Sequence, residues 1–465
     1  MRLNKILQKD YTLSSLYYQI KLPLDVEILI PADDPVRLLS AFVEGMELSD
    51  LYQTYGKIKE NQAAPRQLLK IMVCASMNHL YSSRDIEAAC RRDINFMYLP
   101  EGKTAPDHST FARFLSLHFA QCSKKTLAEV SKILYSLGEI SGKTIFIDGT
   151  KIEAAANKYT FVWKRAVTKN QAKLFDKILA LVEECEALYG LRIVHHGKVS
   201  IHTLKRLRKK LYRIRQEEGI AFVHGIGKRK TRLQKSIEAL ETYLDKLKEY
   251  NHKLHVCGER NSYSKTDPDA TFMRMKEDAM HNGQLKPAYN LQHGVDSEYI
   301  TWLDLSSRPT DTRALIPFLK DIEEYLPFKY QEIVADAGYE SEENYLFLEE
   351  NGQLSYIKPQ NYEISKTRKY RQDIGRMEKR QETLERITDE YGTQLRMNRS
   401  IQAEGSFANI KEDMEFRRYL YRGKGNVTAQ SILLATGYNI NKLHHKIQAG
   451  RTGRHLFPLK QTAGF

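Results

Sequence analysis

Three acids stand out by where they sit. Asp148 ends the run Lys143-Thr-Ile-Phe-Ile-Asp148-Gly149-Thr150, and Asp336 ends Glu332-Ile-Val-Ala-Asp336-Ala-Gly338-Tyr339. The short apolar run before each aspartate suits a strand buried on both faces, and open α/β sheets place their chemistry at the carboxyl ends of strands. Asp148 is therefore expected at a strand end, with Gly149 turning the chain sharply; a plain turn cap is the competing reading. Glu404 arrives differently. Glu404, Phe407, Ala408 and Lys411 fall at i, i+3, i+4 and i+7 of a helix expected over about 400–413, so acid, aromatic and lysine share one face. A surface glutamate paired with Lys411 is the bland alternative there. Carboxylates of this kind suit magnesium, a hard cation that takes oxygen ligands and keeps several waters. With two ions, one activates the attacking water or hydroxyl and the other stabilises the leaving oxygen.

The chain that must position these acids has 465 residues, 72 Lys+Arg against 58 Asp+Glu, and a formal net charge of +14. Its length points to two or three domains, and its charge to a polyanionic partner, nucleic acid first. Five scattered cysteines form no CxxC pair, so neither a zinc ribbon nor a disulfide framework is expected. A reducing, cytoplasmic setting fits, with no signal peptide and no apolar run of membrane-spanning length.

Residues 1–140 read as mostly helical, with helices opening at Asp34-Pro35, Pro65, Ser82-Ser83 and Pro106-Asp107-His108-Ser109-Thr110. Asp148 lies in the next stretch, 141–157. The segment 158–285 reads as a helical, coiled-coil-like insertion, with an amphipathic helix from Ala172 to Leu188. After that helix Leu204, Leu207, Leu211 and Ile214, then Leu233, Ile237, Leu240, Leu244 and Leu247, repeat at steps of three and four, which predicts an antiparallel hairpin. The first arm carries Lys205, Arg208 and Lys209 among seven basic residues without an acid, which favours phosphate contact over a merely solvated face. From 286 to 445 the pattern is a strand hairpin (Tyr289 to Val295, Tyr299 to Leu305), a helix from Asp311, the Asp336 strand, a helix, a strand at 354–357, a charged connector, and the Glu404 helix. Arg417 and Arg418 follow that helix, an apolar helix spans 427–438, and 446–465 reads as a loose tail. This order fits an α/β, RNase H-like mixed sheet flanked by helices, with an all-α N-terminal domain and an inserted helical hairpin.

The pieces Pro106-Asp-His-Ser-Thr110, Phe146-Ile-Asp148-Gly-Thr-Lys151, Thr266-Asp-Pro-Asp-Ala270, Val334-Ala-Asp336-Ala-Gly-Tyr339 and Ala403-Glu404 through Phe407 to Ile410-Lys411 come in the order seen in bacterial insertion-sequence DDE transposases. The chain resembles that group over most of residues 20–445. The resemblance implies Asp148, Asp336 and Glu404 as a metal-binding catalytic triad, with Mg2+ (two ions, Mn2+ able to substitute) as cofactor, and Lys411 as a phosphate-positioning lysine. It departs from many relatives in having no cysteine within 361–399, and the arginine expected shortly before the glutamate is Arg399 or Arg396. The function expected is DNA strand cleavage at element ends followed by strand transfer. Terminal inverted repeats and target DNA are the expected partners, contacted by Lys151, Lys411, Arg399, Lys205, Arg208, Lys209, Arg417 and Arg418, with a homodimer at work. A nuclease of the same fold without strand transfer, or an inactive DNA-binding protein, is the alternative.

Overall fold

The computed structural model describes residues 26–193, 199–225, 227–275, 283–359 and 378–454. Much of the charged connector and the end of the expected tail lie outside these residues. The strands are β1 (Thr144–Glu153), β2 (Phe161–Trp163), β3 (Ser262–Ser264), β4 (Thr271–Arg274), β5 (Leu285–Asp296), β6 (Tyr299–Ser306), β7 (Glu332–Ala335) and β8 (Leu354–Ile357). Six form one mixed sheet in the order β4-β5-β1-β7-β8, with β6 also pairing with β5. β1 runs antiparallel to β5 and parallel to β7, which is parallel to β8. The chain is thus mixed α/β, with the RNase H-like sheet expected from the order of its elements.

Local chemistry sets the ends of the elements. Asp34 caps the helix Pro35–Glu44 by accepting the Val36 N–H at 2.8 Å, and Asp107 caps His108–Arg113 by accepting the Thr110 N–H at 2.7 Å. The β5–β6 hairpin turns at Ser297 and Glu298, both at positive φ, as a turn matched to strand twist requires.

The strand through Asp148 differs from expectation. β1 does not end there but continues to Glu153, held residue by residue against β5. Gly149 is extended rather than turned. Its role is close approach: a Cβ there would lie 2.4 Å from the Gln292 side-chain nitrogen and 2.7 Å from an Asp311 carboxylate oxygen.

The last helix, Lys424–Gln448, is much longer than the 427–438 pattern suggested, because it is buried along most of its length. It packs between the N-terminal helices Pro65–Met77 and Ala120–Ser136 and strand β6. Residues such as Leu39, Val73, Leu134, Ile145, Leu303, Phe318 and Ile432 therefore share one continuous hydrophobic core. The expected hairpin arms are Ile201–Glu217 and Arg232–Cys257, and the helix expected over 172–188 spans Lys164–Tyr189 and packs on the second arm. The insertion is a three-helix unit with a core of its own, containing Ile178, Val182, Leu204, Leu211, Ile237 and Leu240.

Candidate active site

β1 and β7 are in parallel register up to Ile147 opposite Ala335. The next residues on each strand are Asp148 and Asp336, so register places the two aspartates on neighbouring strands, about 4.8 Å apart in the pairing direction. Beyond that point the strands part. β7 ends, and Asp336 caps the short turn Ala337–Tyr339 by accepting the Gly338 N–H at 2.8 Å. β1 stays on β5, and Asp148 accepts the Gly149 N–H at 2.8 Å.

Glu404 is brought to Asp148 by an arginine. One guanidinium nitrogen of Arg399 lies 3.5 Å from Asp148, and the other donates to Glu404 at 3.0 Å. Ser400 donates to the second Glu404 oxygen at 3.1 Å. Burial pushes the Asp148 carboxyl up to about 6; Arg399 and the Gly149 N–H oppose that rise, while Asp336 and Glu404 add to it. The three acids thus share one electrostatic neighbourhood. Among the described residues, however, no three His, Cys, Asp or Glu side chains stand close enough to hold a single metal ion.

The Glu404 segment is helical from Ser400 to Asp413 as expected, but it is not a regular α-helix. π turns at Ser400–Glu404 and Asn409–Asp413 flank one α turn, Gly405–Ala408. Such turns change which side chains share a face and recur at functional sites. Glu404 keeps 54 % of its side chain exposed, whereas Phe407 and Lys411 are buried. His293 fixes this segment to the sheet. It pairs with Asp148 across β1 and β5, stacks on Phe407 with ring centres 4.2 Å apart, and shares a 3.1 Å hydrogen bond with Ser406. Full burial pushes its imidazole down to about 3, so it docks the segment as a neutral ring.

Sequence reasoning passed over His293 and Asp311. Asp311 was expected to open a helix, but that helix begins at Leu315. Asp311 instead lies beside the acids, accepting hydrogen bonds from Asn290 at 2.6 Å and Gln292 at 2.8 Å, with Tyr339 bonded to the other end of the Gln292 amide. The available signal was glycine: a Cβ on Gly149 or on Gly338 would meet Asp311 oxygens.

The predicted phosphate contacts scatter. Lys151 lies on β1 and donates to the Arg274 carbonyl at 3.2 Å. Lys205 and Lys209 are exposed on the insertion, while Arg208 leans toward Glu241 at 3.9 Å. Arg417 pairs with Glu412 at 2.6 Å and Arg418 with Glu153 at 3.7 Å. Arg399, by contrast, touches the acids directly, through Asp148 and Glu404.

The donor type at this site suits a hard cation, since the acids offer only oxygen, and a positive group already stands between two of them, Asp148 and Glu404.

Two family models match the chain. One, described as a transposase DDE domain, covers residues 358–444 and includes Glu404 and Arg399 but neither aspartate. The other, described as a transposase domain (DUF772), covers residues 24–117, within the N-terminal helices. No curated protein and no solved structure matched.

Proposed function

We propose that the chain, which carries two transposase family domains, is an insertion-sequence DDE transposase, with Asp148, Asp336 and Glu404 as its catalytic acids. The observation that carries this reading is Arg399, a cation bridging Asp148 and Glu404 beside the strand end that bears Asp336. Mg2+, or Mn2+ in its place, bound by these carboxylates supplies the Lewis-acid chemistry of phosphoryl transfer. Asp148 and Asp336 offer oxygens from the rigid sheet. Glu404, more exposed and carried on a π-turned segment, offers them from the side. Arg399 gives up the gap it spans and turns its planar guanidinium to a DNA phosphate, for which its paired donors suit it.

In this reading water hydrolyses a phosphodiester at the element end, and the freed 3′-hydroxyl then attacks a target phosphodiester, forming the new phosphodiester as the target's own 3′-oxygen leaves. The N-terminal helices of 1–140 and the exposed Lys205 and Lys209 of the 158–285 insertion contact the duplex. Lys151 and Lys411 hold phosphates nearer the acids, Lys411 by extending from its buried position. Bringing two ends together calls for a homodimer. The test is a labelled element end and a supercoiled target, assayed with Mg2+ and with EDTA. Cleavage and joining should both need the metal, and the Asp336→Ala variant should lose both while still shifting DNA in a gel. Metal-dependent cleavage surviving in that variant removes Asp336 from the site; cleavage without joining leaves a nuclease.

A further inference from the structure

Behind the Glu404 segment lies a cleft of about 740 Å³ that the active site does not use. Its floor is the far side of that segment, through Gln402, Gly405 and Asn409, and its walls come from distant parts of the chain. The last helix and the residues after it contribute Lys442, His445, Lys446, Arg451 and Arg454, and His79 enters from the end of the N-terminal helix Pro65–Met77. Four full cations therefore face two lining carboxylates, Glu298 and Asp413.

The charges divide into two sets. Lys442 pairs with Glu298 at 2.5 Å, and Lys446 with the buried Glu139 at 2.6 Å, so these lysines hold the wall together. Arg451 and Arg454 are exposed, and among the described residues neither has an acidic partner within ion-pair distance. His79 is the left-handed residue that ends the helix Pro65–Met77, with the Leu80 N–H on the Ala75 carbonyl at 2.8 Å, and this placement brings its exposed ring to the cleft.

We propose that this cleft binds an unpaired DNA strand. Two unpaired guanidinium groups suit successive phosphates. The imidazoles of His79 and His445 present flat faces, and the Gln402, Asn409 and Asn441 amides offer donors and acceptors to bases. The size decides against a duplex: a cavity in the range of small-molecule pockets takes a few nucleotides of single strand, not a double helix. The same segment carries Glu404 on one side and floors the cleft on the other, so a strand bound here lies against the wall of the catalytic centre. The binding itself needs no metal and does not depend on the assignment of the three acids.

The test is fluorescence anisotropy of the full chain in EDTA, at low salt, with a labelled oligothymidylate of six nucleotides and with a short duplex. Three proteins are compared: wild type, Arg451→Glu/Arg454→Glu, and Lys205→Glu/Lys209→Glu. Both altered pairs are exposed, so folding is not at stake, and circular dichroism checks it. The proposal expects the Arg451/Arg454 variant to lose at least about tenfold in single-strand affinity, with a flatter salt dependence, while duplex binding changes little. The insertion variant should show the reverse. Single-strand affinity unchanged in the Arg451/Arg454 variant, or lost in step with duplex affinity, overturns it, as does failure of the wild type to bind the oligonucleotide. Loss of single-strand binding alongside intact metal-dependent cleavage would leave both readings standing, whereas lost cleavage in the acid variants bears only on the catalytic one.

Discussion

The sheet and the inserted three-helix unit handle charge in opposite ways. The insertion keeps its apolar residues inside, Ile178, Leu204, Leu240 and Leu247 among them, and leaves Lys205, Arg206, Lys209 and Lys210 to solvent. Gln234 is a rare polar group in its interior, satisfied by the Val223 carbonyl at 2.8 Å. The sheet does the reverse beneath the acids, burying Asn290, Gln292, His293 and Tyr339 next to Asp148. Burying polar groups is costly unless they are hydrogen-bonded, and each bond that is made, such as His293 to Ser406, fixes the geometry of its partners. One region is therefore stabilised by simple segregation and offers a charged surface, while the other gives up some stability for a positioned set of side chains.

The sharpest test of that contrast is the acids themselves. Asp148→Ala, Asp336→Ala and Glu404→Ala should each reduce metal-dependent cleavage by about a thousandfold or more, since metal-assisted stabilisation contributes several kcal/mol, with DNA binding kept. Cleavage within tenfold of wild type in any of them takes that residue out of the centre. Next in size, Leu240→Ala should cost the insertion roughly 2–5 kcal/mol through the cavity it leaves. Because the insertion has its own core, hydrogen exchange should speed up in 201–217 and 232–257 and stay slow in β1. Uniform acceleration through the sheet would break the distinction between the two regions.

Asp148 gives a pH signature. Its carboxyl is raised from an ordinary 3.8 to about 6, so it favours folding less as pH climbs through that window, and the penalty is complete above it. Asp148→Asn should therefore be more stable than wild type at pH 7.5 in EDTA, by on the order of 2–3 kcal/mol. The gap should close below about pH 4, and a melting difference that does not vary with pH would contradict the assignment. The smallest effect belongs to the insertion's surface. Lys205→Glu/Lys209→Glu should weaken duplex binding about tenfold and flatten its dependence on salt, measured by titration across ionic strength. Unchanged binding makes the unit a structural arm.

Much of this was readable in the residues. The strands around Asp148 and Asp336, the β5–β6 hairpin and the stripes of the insertion follow from local periodicity, which a chain carries wherever it folds. The third insertion helix was half seen, as 172–188, because its start at Lys164 lacks the apolar repeat that marks the rest. The turn expected at Gly149 was wrong for an instructive reason: glycine permits a turn, but here it is needed because Gln292 and Asp311 press against an extended strand.

By itself the sequence determined where the acids sit along the chain, the order of the elements and the one-signed face of the insertion, since each depends on neighbours within a few positions. Tertiary structure alone decided that Asp148 and Asp336 emerge side by side, that Arg399 links Asp148 to Glu404, and that His293 pins the acid segment. These depend on register between strands and on packing between residues more than a hundred positions apart, for which the linear order holds no signal.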